Sequence, residues 1–155
     1  MTAITSPTVN CYRRLHKGLA PDLCNWNIND RFYAIRVKNT DESRTYVENR
    51  TPSSATSPYL VMACTLAAGI DGLRRKLSAK NFAAKDIETV KTLPHSLSEA
   101  LDLLEEDTIL TEILGNRFTD WYIKLKKNTD LKVLPCDVKM NEMSINEMHE
   151  YLWLT

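Results

Sequence analysis

The sequence has no excess of charge of either sign: 20 Lys and Arg offset 20 Asp and Glu. A dedicated nucleic-acid or membrane-surface protein would show a basic surplus, so neither class is favoured. Near-zero net charge also gives weak protection against self-association. The four cysteines, Cys11, Cys24, Cys64 and Cys136, include no pair at C-x-x-C spacing, and none stands with a nearby histidine in a zinc pattern. They read as reduced, mostly buried thiols of a cytoplasmic protein. No apolar run lies between Met1 and Gly18, so no signal peptide is read there. The longest apolar stretch, around Tyr59 to Ile70, is interrupted by Thr65, followed by Asp71, and too short to span a bilayer. Internal repeats and low-complexity segments are lacking too.

What is present fits one domain of α+β type. The 155 residues are 43% hydrophobic and 26% charged, enough to bury a core without disulfides or metal. Residues 1–30 read as irregular, because Ser6-Pro7, Ala20-Pro21, Gly18 and a run of Asn and Asp break any helical period. Arg31 to Lys38 and Arg44 to Arg50 are rich in β-formers and flank a polar stretch, which predicts an antiparallel hairpin. In its second strand Tyr46, Glu48 and Arg50 alternate onto one face. From Ser57 the period changes. Pro58 suits the first position of a helix, and Tyr59, Met62, Ala63, Leu66, Ile70, Leu73 and Leu77 make one apolar face, ending in basic Arg74-Arg75-Lys76. Residues 79–94 read as a connector. Ser96 with Glu99 predicts a capping box for a second helix. Asp107 caps a third helix that stops at Gly115. Residues 116–130 predict a fourth, with Phe118, Trp121, Tyr122 and Leu125 inward. Ser144 with Glu147 opens a terminal helix carrying Met148, Tyr151 and Leu152. The expected architecture is a short antiparallel hairpin followed by a bundle of about five helices. An isolated hairpin is marginal in water, so the chain reads as a piece of something larger.

Five segments, in order, resemble the C-terminal part of the glutamine synthetase catalytic domain. Ser6-Pro7-Thr8-Val9-Asn10-Cys11-Tyr12-Arg13-Arg14-Leu15 is similar to the family's P-T-x-N-S-Y-K-R-L. Asp30 to Val37 is similar to N-R-S-A-x-x-R-I. Val47 to Pro52 with Pro58-Tyr59-Leu60 is similar to the family's E-x-R-x-P and P-Y-L. Leu66 to Gly72 is similar to A-A-G-L-D-G, and Leu93 to Leu101 to L-P-x-S-L-x-E-A-L. The resemblance covers most of residues 1–155 and implies one C-terminal catalytic-domain fragment. The wording from Glu48 to Gly72 most resembles the vertebrate lens (lengsin) branch of the family.

The family joins glutamate to ammonia through an ATP-derived acyl phosphate, chemistry that needs divalent metal and positive side chains around transferring charge. By resemblance Glu48 matches a metal-binding glutamate, Arg50 and Arg14 match arginines on the substrate side, and Arg31 and Arg36 match arginines near the nucleotide phosphates. From residue chemistry alone, Arg14, Arg31 and Arg36 read equally as surface charges, and Glu48 with Arg50 as a plain ion pair of the sheet.

The departures from the family pattern set the functional expectation. Active members carry a flap glutamate in P-G-x-E-A-P. Here His16-Lys17-Gly18-Leu19-Ala20-Pro21 has Leu19 running directly into Ala20, so the glutamate is missing between them. Loss of a general base removes roughly 10²–10⁴ in rate. Tyr46 stands where many bacterial members carry an arginine, and Pro52-Ser53-Ser54 replaces the usual P-D-P. The family's other metal carboxylates lie earlier in its full chains. The expectation is therefore a non-catalytic pseudoenzyme of the lens branch, a structural protein of lens fibre cells that partners intermediate filaments in a cytoskeletal or chaperone-like role. Its ATP and Mg²⁺ site would be a relic with no cofactor expected, and its full-length form would assemble as a homo-oligomer of stacked rings. The segment near Trp153 is a candidate contact surface. The alternative is an ATP- and Mg-dependent ligase joining glutamate to ammonia or another amine.

Overall fold

Strand β2 (Ile35–Asn39) and strand β3 (Thr45–Asn49) form the expected antiparallel hairpin, with Arg36 opposite Glu48 and Val37 opposite Val47. The computed structural model describes residues 1–15, 18, 20–41, 43–78 and 90–133. The hairpin turn is closed by Asp41, whose carboxylate accepts from the Ser43 amide at 3.0 Å, the Ser43 hydroxyl at 2.6 Å and Arg44 Nε at 2.8 Å. This is the local side-chain bonding that favours Asp in turns. The Ser43 bonds, with Arg44 adding to them, hold the exposed Asp41 carboxyl below its usual range.

The segment read as irregular contributes a third strand. Strand β1 (Trp26–Ile28) pairs in parallel with β2, Asn27 lying against Arg36, to give the order β1-β2-β3. Parallel neighbours ordinarily need a long crossover. A three-residue strand rises only about 10 Å, so the connection through residues 29–34 has little distance to recover. Asn29 takes the left-handed conformation, φ 57°, and its amide donates to Val37 O at 2.9 Å. Strand alternation sorts the sheet into two faces. Asn27, Arg36, Lys38, Tyr46 and Glu48 share one, and Trp26, Ile28, Ile35, Val37 and Val47 share the other.

Four of the described helices begin where the sequence predicts. Helix α2 (Pro58–Arg74) has Pro58 in its first turn, although the Ser57 side chain makes no capping bond. Helix α3 (Leu97–Glu106) is capped by Ser96 Oγ accepting from the Glu99 amide at 3.2 Å, while the Glu99 carboxylate reaches back to the His95 amide at 2.8 Å. Helix α4 (Thr108–Leu114) is capped by Asp107 accepting from the Leu110 amide at 2.9 Å. It stops at Gly115, whose φ of 92° a side chain would resist. Helix α5 (Asn116–Asn128) and the short α6 (Asp130–Val133) follow. The predicted terminal helix at Ser144 to Leu152, Cys136, Trp153 and most of the 79–94 connector lie outside the described residues.

The core is centred on an element with no sequence signal, helix α1 (Thr2–Thr5). Ala3, Ile4, Thr5 and Ser6 are essentially fully buried, packed with Leu97, Leu101 and Leu104 of α3, Tyr122 and Ile123 of α5, and Cys64 and Ala67 of α2. A 3-10 helix (Val9–Arg13) adds Cys11 and Tyr12. Helix α2 turns its narrow face of Leu60, Cys64 and Ala67 inward, and its large apolar face is exposed: Leu66 is 66% and Leu73 80% accessible. The inward reading of α5 holds for Tyr122, partly for Phe118, and fails for Trp121 and Leu125, which are exposed. None of the described helices is long and apolar enough to cross a membrane.

Candidate functional site

Glu48 sits between two arginines. Arg36 Nη1 donates to its Oε2 at 3.1 Å from the neighbouring strand, and Arg50 Nε lies 3.3 Å from its Oε1. Register explains both contacts. Arg36 is the cross-strand partner of Glu48, and Arg50, two residues on, remains on the same side of the extended chain. The arginine side chains are only 12% and 19% exposed, and the carboxylate 38%. Two guanidiniums against one carboxylate leave the trio with a surplus positive charge. Arg36 Nε and Arg50 Nη1 are both buried without a protein acceptor. A buried donor left unsatisfied costs about 1–3 kcal/mol.

Arg50 is held from behind by a polar seam between α1 and the loop that follows β3. Its amide donates to Ala34 O at 2.9 Å. The next residue, buried Thr51, bonds Asn49 Oδ1 at 2.9 Å and meets Thr5 Oγ1 at 3.3 Å, while the Ser53 amide donates to Thr5 O at 2.9 Å. Arg14 completes the seam. Its guanidinium donates to the carbonyls of Thr51 at 2.7 Å, Pro52 at 3.3 Å and Arg50 at 3.5 Å. The structure thus brings Arg36, Glu48 and Arg50 together and sets Arg14 behind them against backbone. Arg31 lies exposed in the β1–β2 turn. Tyr46 is 54% exposed one step along the face from Glu48. The Arg36–Glu48 pairing was not legible, because it depends on hairpin register. The Cys11 thiol, 3.0 Å from both Thr8 Oγ1 and Ser53 Oγ, was likewise missed as a tie to this loop.

Among the described residues no three His, Cys, Asp or Glu side chains come close enough to hold a metal ion. Glu48 is a single carboxylate with an arginine on each oxygen, so the residues present do not fit a metal by themselves.

The family model for the glutamine synthetase catalytic domain matches residues 1–146. The glutamine synthetase of Methanococcus maripaludis is 38% identical, over 81% of this chain and 31% of that protein. That of Pyrococcus abyssi is 34% identical, over 90% of this chain and 36% of that protein. Among solved structures, a novel glutamine synthase homolog matches 99% of the chain and 35% of its own, with a TM-score of 0.74 and 26% identity. The GmaS/ADP complex matches 97% and 36%, with a TM-score of 0.68 and 28% identity. The chain thus spans about a third of the length of these relatives.

These relatives correct the functional expectation. Proteins 34–38% identical to the chain are glutamine synthetases, which are enzymes, and nothing in the match points to the lens branch. The reading as a non-catalytic, filament-associated lens structural protein is therefore overturned. Of the departures behind it, the missing flap glutamate carried the most weight. A general base supplies roughly 10²–10⁴ of accelerations that reach 10⁶–10¹⁷, and Leu19 itself lies outside the described residues. The fold expectation stands, with β1 added to the hairpin. The chain belongs to the glutamine synthetase catalytic-domain family.

Proposed function

We propose that this chain supplies the C-terminal part of an ATP-dependent ligase that joins glutamate to ammonia or another amine. The observation that carries the reading is the Arg36–Glu48–Arg50 cluster, with its surplus positive charge and two buried, unsatisfied N–H donors. It lies in a chain whose relatives are glutamine synthetases. ATP supplies the phosphoryl group that makes the glutamate carboxylate reactive. The chain's own part is electrostatic. Arg36 and Arg50 bind and orient anionic oxygens and stabilise charge that builds on them, the kind of preorganised contribution whose loss costs roughly 10²–10³ in rate. Arg14 fixes the backbone that carries Arg50, and the reading gives Arg31, exposed in the β1–β2 turn, the nucleotide phosphates. Glu48 is the one carboxylate of this cluster, so a divalent metal there would need further ligands from outside the described residues. The reading places the protein in the cytoplasm, in keeping with the free thiols of Cys11, Cys24 and Cys64. It also makes the protein a homo-oligomer, in keeping with zero net charge and the bare apolar face of α2.

The test is ATP hydrolysis by the protein isolated from its source at natural length, with and without glutamate and an amine. Phosphate release that requires both, and that falls about 10²-fold or more in Arg50→Ala, supports the ligase. Release indifferent to glutamate, or none at all, would sink it.

A further inference from the structure

Two of the chain's departures from the family pattern touch each other. Cys11 stands where that pattern has the Ser of N-S-Y, and Ser53 where it has the Asp of P-D-P. They are 42 positions apart in sequence, and Cys11 Sγ lies 3.0 Å from Ser53 Oγ. The thiol is buried, free and also 3.0 Å from Thr8 Oγ1. It has one proton to give, so one hydroxyl accepts from the sulfur while the other donates to it. Ser53 gathers the bonds of its loop. Its Oγ accepts from the Ala55 amide at 3.3 Å, its carbonyl from the Thr56 amide at 3.3 Å, and its own amide donates to Thr5 O at 2.9 Å. Cys11 lies in the 3-10 helix that Arg14 closes, and Arg14 holds the carbonyls of residues 50–52. The 3-10 helix therefore grips the loop after β3 twice, by its backbone through Arg14 and by a side chain through Cys11.

We propose that Cys11 and Ser53 are a matched pair of positioning residues, a latch that fixes the loop carrying Arg50, in which each departure from the family pattern suits the other. Changing one partner alone spoils the contact. An aspartate at 53 only accepts, and it would face a thiol, which is a weak donor. Part of its charge would also be buried without a strong partner. A serine at 11 holds its oxygen closer to Cβ than a cysteine holds its sulfur, so both 3.0 Å contacts would lengthen. Changing both partners gives a hydroxyl that donates to a carboxylate, a strong charge-assisted bond. The two side chains thus behave as one unit whose energy is not the sum of its parts. The inference rests on the ligase reading for what Arg50 binds, and on the geometry alone for the latch.

The experiment is a double-variant cycle read by amide exchange at Ser53 and Ala55 in this chain: wild type, Cys11→Ser, Ser53→Asp and the two together. Each single change should speed exchange about tenfold, and the double should return to within about twofold of wild type. Additive effects in the double, or unchanged exchange in both singles, would overturn the latch. Ser53→Ala adds no charge and keeps the test open should Ser53→Asp not fold. It should speed exchange as much, and adding Cys11→Ser to it should change exchange less than about twofold. A further tenfold rise there would show two independent side chains and sink the pairing. The positioning role is read separately, in glutamate-dependent ATP hydrolysis by the protein at natural length. Ser53→Asp should raise the KM for glutamate about tenfold with a smaller change in kcat, and the double should recover it. Recovery of exchange with KM unmoved throughout would overturn the link to Arg50. A cycle that closes as expected in a protein without glutamate-dependent hydrolysis would remove the ligase reading and leave the latch.

Discussion

Tyr122, in α5, donates its phenolic hydroxyl to the carbonyl of Ala3 at 2.9 Å, a buried bond between residues 119 positions apart. It pins α1 to the helical layer and satisfies a carbonyl that water cannot reach. Tyr12 lies equally deep, yet its hydroxyl has no partner. The two tyrosines should respond oppositely to loss of the hydroxyl. Tyr122→Phe leaves the Ala3 carbonyl bare and should cost about 1–3 kcal/mol, whereas Tyr12→Phe removes an unsatisfied group and should be neutral or slightly stabilising. Urea unfolding of both variants checks the pair. Equal losses would mean that the Tyr122 bond contributes nothing specific.

The same burial gives a pH dependence. Desolvation raises the phenol of Tyr12 and that of Tyr122 far above the ordinary value of 10.0, with nearby negative charge adding to it. The folded chain therefore holds these protons more tightly than the unfolded one, so stability is complete below the unfolded value and falls as pH rises above about 10. Tyrosinate absorbance should show these two groups ionising only together with loss of helical circular dichroism. Their ionisation in a fully helical chain would contradict the buried placement.

The outer face of α2 should tolerate charge. Leu66 and Leu73 are 66% and 80% exposed, so Leu66→Glu with Leu73→Glu should change stability by only about 0.5 kcal/mol per site. Leu101→Ala, at a fully buried position, should cost about 2–5 kcal/mol. If this face mediates association, the double glutamate variant should also lower the mass measured by light scattering at high concentration.

Arg14 is the fourth case. Its fork serves three successive carbonyls at residues 50–52, which a lysine ammonium cannot span in the same way. Arg14→Lys should therefore loosen this loop, raising amide exchange at Thr51 and Ser53 by about tenfold while leaving α3 and α4 protected. Unchanged exchange at those amides would show that the seam to α1 holds the loop without Arg14.

How much of this could be read in advance varied with the range of the interaction. The caps at Ser96 and Asp107, the stop at Gly115 and the hairpin turn around Asp41 all depend on contacts within a few residues, so residue type and spacing suffice. The shared face of Glu48 and Arg50 followed from alternation alone. The family was legible from ordered motifs, while activity was misjudged from a few departures, chiefly the missing glutamate after Leu19.

Tertiary structure decided the rest. Strand β1 is too short to carry a period, and it exists because Asn25 and Asn29 pair their backbone with residues 35 and 37. Helix α1 is four residues long and gains its place from burial against α2 and α3, not from propensity. The apolar period of α2 announced a helix but not its orientation, since a small face of Cys64 and Ala67 lets neighbouring backbones approach while the larger side chains stay outside. Sequence by itself determined which residues were charged and which shared a strand face. Only the register of β2 on β3, set by long-range pairing, put Arg36 onto Glu48 and turned a row of charges into a site.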